Sequence, residues 1–112
     1  MSKYVIKDTD FIDHPKDKGV FMKILFTSKQ NDRLTNGEIK INPDSQVSLH
    51  THDNTSEFYY IVEGVGEFHI NGECNPVKKG DALMCPMGTE HGFKNTGREP
   101  LILFVTFSPA VI

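Results

Sequence analysis

The chain has no tryptophan, only two cysteines (Cys74 and Cys85), and little excess of either charge. Each shortage excludes something. Two cysteines are too few to staple a secreted fold, and their spacing is not that of a CxxC zinc or redox site, so they read as reduced, partly buried thiols. No apolar run approaches the ~18 residues of a membrane-spanning helix, so no membrane partner is expected. The N-terminal MSKYVIKDTDF lacks the apolar core of a signal peptide, and the expected location is cytoplasmic. Positive charge is scarce as well: 12 Lys and Arg against 15 Asp and Glu leave a net −3 with no basic cluster. That argues against nucleic acid as a partner. Helical periodicity is missing too: no window of about a dozen residues keeps an i, i+3, i+4 apolar pattern without a Gly or Pro inside it.

What remains is an all-β pattern. The 112 residues suffice for one domain, residues 1–112, with a real core and no room for a second. GVFMKILFT (19–27), GEIKIN (37–42), QVSLHTH (46–52), EFYYIVEG (57–64) and GEFHING (66–72) alternate or are rich in β-branched and aromatic residues. DALMCP and PLILFVTF are continuous apolar runs suited to strands buried on both faces. Asn71-Gly72 is a two-residue hairpin turn. About eight strands spaced near ten residues predict a sandwich or barrel. The DHPKDKG segment reads as a loop, with His14 a solvated surface residue.

The chemistry sits in LHTHDNTSEFYYIVEG. On a strand, side chains two apart share a face, so His50 and His52 can aim at one point while Thr51 faces away. Glu57 has the wrong parity for the same strand. The turn-forming DNTS between them lets Glu57 open the next strand and meet the pair from the side. Imidazole plus carboxylate suits one divalent transition ion (Mn, Fe, Co, Ni, Cu or Zn) rather than Ca or Mg. Downstream, GDALMCPMGTEHGFKN offers His91 just after a Pro/Gly turn. His69, between Phe68 and Ile70, is expected to face outward.

Two spacings now coincide. His50, His52, Glu57 and Gly64 resemble the first cupin motif, G-x5-H-x-H-x3,4-E-x6-G, with Asp44 standing where that motif opens on Gly. Gly80, Pro86, Gly88, His91 and Asn95 match the second, G-x5-P-x-G-x2-H-x3-N, at every position. Asp tolerates a left-handed turn after Pro43, so the departure leaves the fold intact. The motifs span 44–64 and 80–95. The resemblance implies an all-β cupin double-stranded β-helix, a jelly-roll barrel, with the metal inside one end. It carries metal binding onto His50, His52, Glu57 and His91. Three imidazoles and one carboxylate leave coordination positions open for a small-molecule ligand.

Strand alternation adds Gln46 and Ser48 to the His50 face, Tyr59 to the Glu57 face, and Leu83 and Cys85 to the inside of the next strand. Gln46, Ser48, Tyr59 and Cys85 are thus pocket-lining candidates. Tyr59 is the one catalytic candidate, either as a proton donor or as a ligand-orienting group, against the plainer reading of a core filler. Family members that open unsaturated uronates would be expected to add an acidic base on the last strand, but PLILFVTFSPAVI carries none. The expectation is a metalloenzyme of dioxygenase, isomerase or lyase type acting on a compact oxygen-chelating substrate. The alternative is a non-catalytic ligand-binding or sensing barrel. GVFMKILF and LILFVTF carry more apolar surface than one barrel buries, which predicts a homodimer paired through edge strands.

Overall fold

The computed structural model describes residues 4–7 and 9–112 and contains ten strands. They are β1 (Ile12–Asp13), β2 (Val20–Phe26), β3 (Thr35–Ile41), β4 (Gln46–Thr51), β5 (Ser56–Glu63), β6 (Val65–Ile70), β7 (Glu73–Lys78), β8 (Ala82–Cys85), β9 (Glu90–Asn95) and β10 (Leu101–Ser108). One sheet runs β1-β2-β3-β10-β5-β8 and the other β4-β9-β6-β7, all antiparallel. Two such sheets facing each other make a jelly-roll β-barrel, and no helix occurs among the described residues.

The two strands beyond the expected eight are β1 and β7. β1 forms beside the segment read as a loop, where Ile12 and Asp13 pair with Met22 and Phe21. β7, ECNPVK, has neither alternation nor β-branched richness. Pro76 is tolerated there because β7 is the edge of its sheet, where a missing N–H breaks no ladder. The turn before it is left-handed at both positions, Asn71 (φ 47°) and Gly72 (φ 81°), as a two-residue hairpin requires. Asp44 takes φ 62°, the left-handed turn expected after Pro43. Gly64 (φ 92°) is needed on two grounds, since a Cβ there would also lie 2.7 Å from the Pro100 carbonyl oxygen.

Alternation sends Val20, Ile41, Ile61, Leu101 and Leu103 inward from one sheet and Val47, Phe68, Val77 and Phe93 from the other. Phe93 stacks on Phe68 at 5.0 Å between ring centres and meets Tyr59 edge-on at 4.8 Å. Each fully buried side chain of this size stabilises the fold by about 1.5–3 kcal/mol. Asn95, the last residue of the second motif, is buried and fully used. Its amide donates to the carbonyls of Ile41 and Glu99, both at 2.8 Å, and its oxygen accepts from Gly97 N–H.

The topology bears on the two strands expected to pair a dimer differently. β10 lies between β3 and β5, whereas the two-residue β1 covers β2 only at Phe21 and Met22 and leaves the rest of that edge open. Their apolar residues are divided between the core and the outer face of the sheet.

Candidate metal centre

The site begins with a fault in β4. Val47 pairs with Phe93 and His50 with His91, so Ser48 and Leu49 together oppose Gly92 alone. Such a bulge adds one residue and reverses the alternation. Val47 and His50 therefore both face inward, although they are three residues apart. Gln46 and Ser48 consequently lie on the exposed outer face, not in the pocket where unbroken alternation put them. Gly92 accommodates the fault, since a Cβ there would sit 2.6 Å from the Val47 carbonyl oxygen. Ser48 is pinned from outside. Its N–H donates to Asp17 Oδ2 at 3.1 Å and its hydroxyl to Asp17 Oδ1. Those bonds outweigh the opposing effect of burial and lower the Asp17 pKa.

Inside, donor atoms of His50, Glu57 and His91 all lie within 4.8 Å of one another. His91 Nε2 is 2.9 Å from Glu57 Oε2, and both side chains are 1% exposed. Yet Nε2 is not oriented to hydrogen-bond to that oxygen and has no other partner. The opposite ring nitrogens explain the aim. His50 Nδ1–H donates to the Ser48 carbonyl at 2.8 Å, and His91 Nδ1–H donates to the Thr89 carbonyl at 3.0 Å. A carbonyl can only accept, so each neutral ring carries its proton on Nδ1 and presents the Nε2 lone pair inward. Two donors held about 2.1 Å from one ion at a right angle stand about 3.0 Å apart, so the 2.9 Å separation suits a shared cation.

His52 is the looser member. It lies just past the end of β4, its side chain is 37% exposed, and its Nε2 stands 4.0 Å from Glu57 Oε2. Its ring meets His50 at 5.0 Å and Phe107 at 5.7 Å between centres. The structure thus brings three of the four sequence-identified residues tightly together and sets the fourth beside them.

Tyr59 is buried and donates its hydroxyl to Glu57 Oε1 at 2.5 Å. Cys85 does face inward, as expected, but does not reach the cavity wall. It is paired with Glu57 across β5 and β8 and lies fully buried behind the cluster. Burial pulls the His91 pKa down, but Cys85, Glu57 and Thr89 outweigh it and raise the value to about 10. Burial likewise opposes ionisation of Glu57, yet the neighbouring His91 and the Tyr59 hydrogen bond hold its pKa below the usual value. Burial lowers His50 and pushes Tyr59 well above the ordinary phenol range, with the Glu57 charge adding to the latter. The phenol is a donor here, not a base.

His50, His52, Glu57 and Tyr59 open onto a cavity of about 280 Å³ whose apolar wall is formed by Met22, Ile24, Ile39, Val47, Val105 and Phe107. The last strand contributes no acid to it, as its sequence foretold. A larger depression, about 1170 Å³, runs beneath the Asp13–Val20 loop but is open to solvent and holds none of the four residues. His14 is not the solvated residue expected. It is half-buried, lines the cavity, and accepts backbone N–H bonds from Lys16 (3.2 Å) and Asp17 (3.1 Å) at Nδ1. The signal missed was its place three residues before Asp17 in a Pro-containing turn, where a short side-chain acceptor closes the loop on itself.

Comparison with known proteins adds four findings. A family model described as a cupin domain matches residues 37–107. An oxalate-binding protein of Thermotoga maritima is 43% identical over 63 residues, 56% of this chain and 52% of that protein. A 5-nitrosalicylic acid 1,2-dioxygenase of Bradyrhizobium sp. is 33% identical over 72 residues, 64% of this chain and 34% of that enzyme. The chain therefore spans about half the length of the first relative and a third of the second. Among solved structures, a predicted oxalate decarboxylase of Thermotoga maritima superposes with a TM-score of 0.80 at 32% identity, covering 90% of this chain and 91% of that one.

Proposed function

The chain belongs to the cupin family, and from that premise we propose that it holds one divalent transition ion on His50, His52, Glu57 and His91 and acts on a small acid that chelates through two oxygens. The observation that carries this reading is the buried His91 Nε2, aimed beside Glu57 Oε2 at 2.9 Å with no hydrogen bond of its own. A buried polar atom without a partner costs about 1–3 kcal/mol, a penalty that a coordinated cation removes. Oxalate and 5-nitrosalicylate, the ligands in the relatives' names, both present two oxygens placed for chelation. The apolar wall and small volume favour a compact, partly hydrophobic body behind those oxygens.

A bound ion supplies Lewis-acid polarisation of the chelated oxygens, or a place for O₂ to meet the substrate. The chain's own residues do the rest. Ser48 and Thr89 carbonyls fix two imidazole tautomers, and Tyr59 holds Glu57 in its ionised form and in place. Met22, Ile24 and Phe107 exclude water from the ligand. Tyr59 is thus a positioning residue. Beyond the ligand set and Tyr59 the lining carries only His14, Lys23 and Glu38 as titratable side chains among the described residues, and a mostly apolar wall favours dioxygenase, isomerase or lyase chemistry driven from the metal side. The mostly apolar lining equally suits a second reading, a ligand-binding or sensing barrel without turnover. A reducing cytoplasmic setting accords with both cysteines being free.

The test is metal analysis of protein purified without a metal-affinity column, beside His50→Ala. It is followed by calorimetry and O₂ consumption with oxalate, salicylate and diketone probes. Barrel metal that is lost in the variant, with binding of at least one chelating acid, supports the proposal. Absence of both sinks it. Binding without product or O₂ uptake selects the sensing barrel.

A further inference from the structure

The outer face of the four-stranded sheet carries a second donor set, remote in chemistry from the barrel cluster because it contains sulfur. We propose that Glu67, His69 and Cys74 form a separate surface site for one thiophilic divalent ion of the zinc type. The backbone builds it. The left-handed Asn71-Gly72 turn fixes the hairpin register so that His69 stands directly opposite Cys74. Directly opposed strand residues have Cβ atoms about 4.5–5.5 Å apart. Phe68 points into the core, so Glu67 and His69 share the outward face with Cys74.

The distances fit one ion. His69 Nε2 is 3.2 Å from Glu67 Oε1 and 3.8 Å from Cys74 Sγ, and all three donors lie within 4.8 Å of one another. Tetrahedral zinc, with bonds of about 2.0–2.1 Å to nitrogen and oxygen and about 2.3 Å to sulfur, sets its N and O ligands roughly 3.4 Å apart and its N and S ligands roughly 3.6 Å apart. The observed separations differ from these by about 0.2 Å each, so side-chain adjustment within one rotamer closes the site. A mixed sulfur, nitrogen and oxygen set selects zinc, cobalt or cadmium and rejects calcium and magnesium.

The site also has room and access. The β9 neighbour of His69 is Gly92, and a depression of about 190 Å³ lies over it between Leu49, His69 and Lys94. A fourth position facing that depression is free for water or a small anion, which the Lys94 ammonium would favour. Lys94 is the one opposing charge. The Glu67 carboxylate and a Cys74 thiolate, whose proton leaves to solvent as the sulfur–metal bond forms, bring two negative charges against it. The plainer account is a surface His–Glu pair with a bystander thiol, and the experiment separates the two.

The full chain, stripped with chelator and kept reduced, is titrated with Co²⁺ and followed by near-ultraviolet thiolate-to-cobalt absorption. The expected result is a saturable band in the wild type and in His50→Ala, displaced by Zn²⁺ and absent in Cys74→Ser. Because Cys74 is exposed, that variant keeps the fold. Glu67→Gln and His69→Ala each weaken Co²⁺ binding at least tenfold. No band in the wild type, or a band that survives Cys74→Ser and disappears in Cys85→Ala, overturns the proposal. So does an affinity unchanged in both Glu67→Gln and His69→Ala.

Discussion

A proton and a divalent cation compete for the few ångströms between His91 and Glu57. Without the ion, a charged His91 ring is favoured by the Glu57 carboxylate beside it. His91, raised from 6.5 to about 10, contributes stability that is complete below pH 6.5 and lost as pH climbs toward 10. Glu57 is lowered from 4.5, so its contribution is complete above pH 4.5 and lost on acidification below it. The melting temperature of chelator-treated protein should therefore decline between pH 6.5 and about 10, and the decline should flatten when the site is loaded. Thermal melts at stepped pH check both statements, and a metal-free Tm that holds to pH 10 contradicts them. Tyr59→Phe removes a hydrogen bond that holds the Glu57 carboxylate, and metal affinity should fall about 10- to 100-fold, read by competition with a chromophoric chelator. His50, Glu57 and His91, which the structure groups within 4.8 Å, were named in the sequence with His52 through the two motif spacings they share with cupins. The tautomers were not, because they depend on the carbonyls of Ser48 and Thr89, and a carbonyl carries no sequence signature.

At the scale of the element, the bulge in β4 decides which residues see the cavity. Alternation read from the sequence placed Gln46 and Ser48 inside, and one extra residue opposite Gly92 turned both out. Nothing in QVSLHTH announces the fault. Its cause lies on another strand, in the missing side chain of Gly92, and on a loop, in Asp17. Gly92→Ala forces a Cβ to within 2.6 Å of the Val47 carbonyl oxygen. It should cost about 1–3 kcal/mol of stability and weaken metal binding at the same time, because His50 depends on the bulge for its aim. Urea unfolding and metal titration on one preparation test the pair of effects. A variant that loses stability with metal affinity unchanged would show that the bulge does not aim His50. β7 escaped notice for a related reason. Its strand character comes from pairing with β6 at a sheet edge, and Cys, Asn and Pro are poor strand formers on their own.

For the whole molecule, composition and punctuation were enough for an all-β barrel, but strand order was not legible, since it depends on long-range pairing. Apolar side chains are exposed on one outer face, on strands other than the β2 and β10 segments singled out in the sequence. Phe58 pairs with Met84 across β5 and β8, and Tyr60 pairs with Phe104 across β5 and β10. Phe58, Tyr60 and Met84 are 45%, 50% and 52% exposed. We propose that a second copy covers this face, because contiguous apolar patches of several hundred Å² mark interaction surfaces. Sedimentation should give a dimer at micromolar concentration and a monomer for Tyr60→Glu. A wild-type monomer under those conditions refutes it.

The position of β10 bears on how the barrel comes to exist during synthesis. β3 and β5 each need β10 for a neighbour, and Thr35 waits for Phe107 before its pairing is complete. A nascent chain on the ribosome thus exposes two unzipped sheet halves until residues 101–108 have cleared the exit tunnel. Folding is then a late, all-at-once closure, and a pause in translation just upstream of that segment leaves the polypeptide most open to chaperones and to aggregation.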